Sequence, residues 1–184
     1  MEVFKKRSVA ILCMILMIIS STFIQAGSDM NQKVDALNDF FLVDEGMGDD
    51  FSIQKALNKK MEFSNELANK FAIKYIDSSS DEIKTVNEAI AVLQEAKGAS
   101  EKYEALMQLD RANNQLIGLL ETKSMDKEDE KELNRLYANL SNYSDLISHS
   151  SYNQKVSELE SEFSGFPAGI FKALLNIDVP EDFR

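Results

Sequence analysis

The chain has 184 residues, 31 acids against 20 bases and a net charge of −11. Setting aside Glu2, Lys5, Lys6 and Arg7 leaves 30 acids and 17 bases after Ala26, a net of −13 that opposes charge-driven binding to nucleic acid or anionic lipid. A single cysteine (Cys13), a single histidine (His149) and no tryptophan exclude a disulfide framework, a thiolate zinc site and a cysteine nucleophile after Ala26.

The basic cluster Lys5, Lys6 and Arg7 stands in front of a charge-free apolar run, Val9 to Ile24, which covers 16 residues and is interrupted late by Ser20, Ser21 and Thr22. Such a run behind a basic start is an export signal or a membrane anchor. A spanning helix wants about 20 apolar residues, so this run is short unless Ser8, Gln25 and Ala26 lie among the headgroups. A cleaved signal wants small residues before the cut, and Ile24-Gln25-Ala26 supplies one at the last position only. Both readings stay open, with residues 1–26 as signal peptide or anchor and residues 8–26 as the membrane contact if uncleaved. The basic cluster predicts that the rest lies outside the cytoplasm, anchored or secreted. Cys13 sits mid-run, too early for a lipid-modified cysteine, and reads as apolar filler.

Residues 27–50 read as a membrane-proximal segment. Val34, Leu37, Phe40 and Phe41 keep helical spacing, and Asp44-Glu45-Gly46-Met47-Gly48-Asp49-Asp50 reads as an acidic, glycine-containing loop. Residues 51–165 follow as a helical bundle. The first long helix is predicted over about 51–77, from Ile53, Leu57, Met61, Ser64, Leu67, Phe71 and Tyr75 at three- and four-residue steps. The second covers about 80–97, capped by Ser80, with Ile83, Val86, Ile90 and Leu93 on one face. The third covers about 100–122 behind Ser100, with Tyr103, Leu106, Leu109, Leu116, Ile117 and Leu120. Asn113 and Asn114 on that helix offer an interior hydrogen bond, with one of them at the surface.

A fourth helix begins near 125 with a run of acids that suits the positive end of its dipole. Leu133, Leu136, Leu140, Tyr143 and Ile147 form its seam. At Ser148-His149-Ser150-Ser151 the phase jumps, and Tyr152, Val156, Leu159, Phe163 and Phe166 continue. The helix kinks here or a new one starts, with Ser151 and Gln154 patterned as a capping box. Each helix has one apolar face and cannot stand alone in water. Short connections favour antiparallel neighbours. The predicted fold is all-α, an antiparallel up-and-down bundle of about four long helices behind the hydrophobic segment.

Residues 166–184 open with Phe166-Pro167. Proline disfavours helix at the residue before it and suits the start of a new one. Gly165 helps the turn, and Ile170, Phe171, Leu174 and Leu175 are predicted to lay the short helix back on the bundle. The alternative is an exposed hydrophobic patch that docks on a partner or a membrane surface.

Tyr152-Asn153, Val156, Phe166-Pro167 at an offset of 14 from the tyrosine, and the apolar Ile170, Phe171, Ala173, Leu174 and Leu175 resemble the closing helix of the LemA family. That family also opens with a hydrophobic segment and continues as an antiparallel helical bundle. Where members carry an arginine-rich stretch this chain has Ser148-His149-Ser150-Ser151, and Leu159-Glu160 stands in place of a second Tyr-Asn pair. The resemblance implies fold and membrane association, and makes Tyr152, Asn153, Val156, Phe166, Pro167, Phe171 and Leu174 the candidate determinants of fold or docking.

Catalytic constellations are not apparent. A paired-carboxylate hydrolase needs two acids in a cleft, and Glu158 and Glu162 merely lie one turn apart. A bundle metal site needs Glu-x-x-His motifs that one histidine cannot supply. No metal or cofactor is expected. The leading expectation is a non-enzymatic interaction or scaffold protein at the cell envelope, with an unidentified protein partner and no nucleic acid. The second is a binding module holding a small apolar ligand or peptide between helices, near a cavity lined by Tyr143, Ile147 and Tyr152. The third is a carboxylate-dependent hydrolase.

Overall fold

The computed structural model describes residues 2–42 and 52–184, and the secondary structure among them is helical throughout. The acidic loop expected over Asp44–Asp50 lies outside the described residues. The helices are α1 (Glu2–Leu42), α2 (Ile53–Glu66), α3 (Asp81–Glu95), α4 (Ala99–Glu121), α5 (Lys127–Ser148), α6 (Tyr152–Ser164) and α7 (Ala168–Leu175). The predicted first helix runs on beyond α2 through a π turn at Leu67–Phe71 and a 3₁₀ turn at Ala72–Lys74.

Local chemistry explains most boundaries. The Ser52 hydroxyl accepts from the Lys55 amide at 3.0 Å and Ser80 from Ile83 at 3.4 Å. Asp126 caps α5 by accepting from the amides of Glu128 and Asp129 at 2.9 and 2.8 Å. Helix α4 departs from expectation. Its cap is Gly98 rather than Ser100, and the Glu101 carboxylate reaches back to the Lys97 amide at 3.0 Å. The phase jump at 148–151 is a break between two helices. His149 closes α5, its Nδ1 2.7 Å from the Asp145 carbonyl, and the Ser150 hydroxyl accepts from the Tyr152 amide at 3.3 Å.

The chain divides into two compact units. The larger comprises residues 39–154 and 181–184. There α3 packs along α4 and α2 along α5, and the short link 96–98 makes α3 and α4 antiparallel. Leu57, Leu67, Val86, Leu109, Leu116, Leu120 and Leu136 fill its core. The buried Asn113 donates to Ser64 at 2.8 Å while Asn114 is exposed, one inside and one outside.

The smaller unit comprises residues 1–38 and 155–180. Within it, residues 9–22 of α1 are exposed on every face. Cover begins at Phe23 and continues through Gly27, Met30, Val34 and Leu37, a stripe at helical spacing. Val156, Leu159, Phe163 and Ile177 are buried in the same unit, and Lys33 pairs with Glu162. The apolar helix is long enough to cross a membrane, a test that a signal sequence also meets. The hydroxyls of Ser21 and Thr22 each donate to the Ile18 carbonyl at 2.9 Å. Donors satisfied within the helix lower the cost of placing hydroxyls in hydrocarbon.

The corner between α6 and α7 contains a cis Phe166-Pro167 peptide, and α7 starts after Pro167. Gly169 is the constrained glycine, because a Cβ there would meet the Ser164 carbonyl oxygen at 3.1 Å and the Phe163 oxygen at 3.4 Å. At Gly165 the nearest atom, the Glu162 carbonyl oxygen, would be 3.7 Å away, an ordinary contact. Gly169→Ala is therefore expected to cost about 1–3 kcal/mol by forcing backbone apart, and Gly165→Ala far less. Urea melts of the two variants side by side check this. Asn176 ends α7 in the left-handed region at φ 50°, which asparagine tolerates, and the Ile177 amide returns to the Lys172 carbonyl at 3.1 Å.

The short helix α7 does not bury its apolar residues as predicted. Ile170, Leu174 and Leu175 are exposed, and Phe166 just before it is 89% exposed. Phe171 is half-buried, its ring meeting Phe23 edge-on at 4.9 Å.

Candidate functional site

A groove lies in the larger unit, where the chain's own residues 181–184 run along the start of α6. Asn153, second residue of α6, holds the Phe183 backbone at both polar groups. Its Nδ2 donates to the Phe183 carbonyl at 2.8 Å, and the Phe183 amide donates to its Oδ1 at 2.6 Å. An asparagine amide has a donor and an acceptor side by side and so matches one residue of extended main chain. The neighbouring Tyr152, 2% exposed, donates its hydroxyl to the Glu181 carbonyl at 3.1 Å. Burial, with the nearby carboxylates of Asp182 and Glu181, pushes that phenol up to about 12. It therefore stays a donor through the physiological range.

The Phe183 side chain sits in an aromatic box. Its ring meets Tyr103 edge-on at 5.4 Å and Phe41 at 5.7 Å, and Phe41 meets Tyr152 edge-on at 5.1 Å. The Lys102 ammonium lies 5.1 Å from the Phe41 ring centre. Aromatic edge-to-face contacts contribute about 0.5–1.5 kcal/mol each beyond burial. Tyr103 and Tyr152 thus enclose a segment of the chain itself.

Beside Phe183 opens a cavity of about 380 Å³, its apolar wall including Ile53, Tyr103, Leu106 and Ile147 with Tyr152, and its polar groups Asp110, Ser144, Ser148, Ser150, Asn153 and Arg184. Two of the three residues expected around it are there. Tyr143 is not, because its ring stacks on Phe63 at 6.0 Å.

Under the polar side of this cavity lies Lys60, whose side chain is fully buried. Its ammonium lies 2.5 Å from Asp110 and donates to the Ser144 hydroxyl. Loss of water pushes Lys60 below the ordinary lysine range, while Asp110 and then Asp145 pull it back up. A serine beside a lysine is also a nucleophile-and-base pair. The Asp110 contact favours the charged ammonium, which has no lone pair to take the serine proton. The trio thus reads as an ion pair that closes the cavity floor. The lining contributes one carboxylate, Asp110, where a paired-acid mechanism needs two. Glu158 and Glu162 lie on the exposed face of α6, and Glu162 is paired with Lys33. Among the described residues no cluster of three or more His, Cys, Asp or Glu could hold a metal.

The candidate motif residues divide between the two units. Tyr152 and Asn153 build the groove. Val156 is buried in the smaller unit, Phe171 packs on Phe23, and Phe166 and Leu174 are exposed. Lys60, Asp110, Ser144 and Phe183 were not singled out from the sequence. Lys60 had a usable signal, since it lies on the Leu57–Ser64 face of α2 one position before Met61. Phe183 had none. No family model, curated protein or solved structure matches the chain.

Proposed function

We propose that this chain is a LemA-like, membrane-anchored helical module that works without chemistry of its own, holding extended peptide segments of protein partners outside the cytoplasm. The supporting observation is the clamp of Asn153 on the Phe183 backbone. A side-chain amide that grips main chain recognises extended peptide irrespective of sequence, as strand addition does, and a pocket beside it selects the side chain. The box of Phe41, Tyr103 and Tyr152 suits an aromatic one. Residues 181–184 are then the resident occupant. A tethered occupant competes at an effective concentration in the millimolar range for a short flexible link, so partners enter by displacing it. The positive charges Lys5, Lys6 and Arg7, at the N-terminal side of the apolar run, favour the orientation with the bundle outside.

The cavity of about 380 Å³ supports a second reading, a small apolar ligand bound beside Phe183.

The test uses a fluorescent peptide with the sequence of residues 177–184 and the full chain in detergent. Phe183→Ala empties the box and is expected to bind the peptide more tightly than the unaltered chain. Adding Asn153→Ala is expected to abolish that binding. A Phe183→Ala chain of unchanged helicity that takes up no peptide refutes the peptide reading.

A further inference from the structure

We infer that α7 is a second membrane-contacting element, and that Phe166, Ile170 and Leu174 insert into the lipid interface beside the point where α1 leaves the bilayer. The inference rests on the anchor reading of α1.

Three observations within the smaller unit carry it. Phe166, Ile170 and Leu174 recur at four-residue steps and are 89%, 52% and 64% exposed. Ile170 and Leu174 lie one turn apart on α7 and Phe166 lies just before it, and large apolar side chains exposed this close together are unfavourable in water. The adjoining face of α7, about 100° round the helix, is attached to α1 at the end of its apolar run. Phe171 meets Phe23 at 4.9 Å, and a Cβ on Gly27 would lie 3.0 Å from Leu175 Cδ1, so the glycine is what lets Leu175 close on the helix. Phe23 is also where the bare surface of α1 ends, and Ile24 next to it is 74% exposed. The surface around α7 therefore continues the surface that a bilayer would cover.

Length makes the arrangement useful. The run from Val9 to Ile24 spans about 24 Å as a helix, against a hydrocarbon core of about 30 Å. Apolar side chains from α7 at the level of Phe23 to Gly27 extend the apolar surface where α1 falls short. The backbone at the α6–α7 corner is internally paired, with Gly169 donating to the Gly165 carbonyl at 2.7 Å and Ile170 to Pro167 at 3.1 Å. That removes most of the cost of bringing a turn near lipid. Lys172, the basic residue of α7, is half-buried and long enough to reach the headgroups. Because the contact is apolar and the exported part is acidic, a zwitterionic bilayer suffices as the occupant.

The test is quenching by brominated lipid. In a Cys13→Ser background, single cysteines replace Phe166, Ile170, Leu174, Met17 and Ser157 in turn, the last an exposed position of α6 in the same unit, two turns before the α6–α7 corner. Each full chain is labelled with a small environment-sensitive dye, reconstituted into phosphatidylcholine vesicles brominated near the headgroup end of the chains, and checked for unchanged helicity. Labels at 17, 166, 170 and 174 are expected to lose fluorescence, and the label at 157 to keep it. Quenching at 17 with none at 166, 170 and 174 overturns the inference and leaves the anchor standing. No quenching at 17 removes the anchor and the inference together. Labels at 170 that ignore brominated lipid but form excimers between chains assign the stripe to a second copy, which also overturns it.

Discussion

Asp110→Ala is expected to destabilise the bundle by about 3 kcal/mol, the low end of the range for stripping one partner from a buried ion pair. The low end applies because the Asp110 side chain is 27% exposed while that of Lys60 is fully buried. Removing the carboxylate leaves an ammonium with only the Ser144 hydroxyl as a polar partner among its described contacts. Lys60→Met fills the same space without a charge and leaves Asp110 within reach of water, so it is expected to be much milder, or stabilising. In the Lys60→Met background Asp110→Ala should cost under about 1 kcal/mol, because the penalty belongs to the abandoned charge rather than to the carboxylate. Urea denaturation of the four chains gives the coupling directly. Equal costs of Asp110→Ala in the two backgrounds would show that the pair is not an energetic unit.

The same pair predicts a pH dependence. Burial holds Lys60 below its ordinary value of 10.5 in the folded chain. Between the depressed value and 10.5 the unfolded chain binds more protons than the folded one at this site, so its contribution to stability rises with pH across that window. Below the window both states are protonated and the contribution is level. The difference in unfolding free energy between the unaltered chain and Lys60→Met isolates this site from the other titrating groups. That difference should be flat below the depressed value and climb from there towards 10.5.

Phe163→Ala is expected to cost about 3–5 kcal/mol, and Phe166→Ala about 0.5 kcal/mol or less. Three positions separate two phenylalanines of one motif-bearing segment, yet Phe163 is 1% exposed and Phe166 is 89% exposed. Truncating Phe163 removes the ring and leaves a cavity where α6 is buried. Truncating Phe166 removes a ring that touches little protein. The sequence supports a large cost at Phe166 only if its ring is buried, and that condition is not met. Urea melts in detergent test the pair. A loss at Phe166 as large as that at Phe163 would mean the ring lies inside the fold.

Much of the local structure was legible in the residues themselves. The second helix, expected over about 80–97, is α3 over Asp81–Glu95 behind its Ser80 cap, and the third, over about 100–122, is α4 over Ala99–Glu121. Those features depend on neighbours within a turn or two, through apolar spacing, hydroxyl caps and the dipole of the first turn. The helical class and the bare apolar segment follow for the same reason. Tertiary structure alone decided the rest. Lys60 meets Asp110, and Asn153 grips Phe183 across 30 positions of sequence. Phe171 rests on a phenylalanine near the other end of the chain. Whether Phe166 faces protein or solvent is set by the course of α7 along α1, since an apolar side chain at a corner satisfies the helical pattern either way. Periodicity says which face of a helix must be covered; only packing says what covers it.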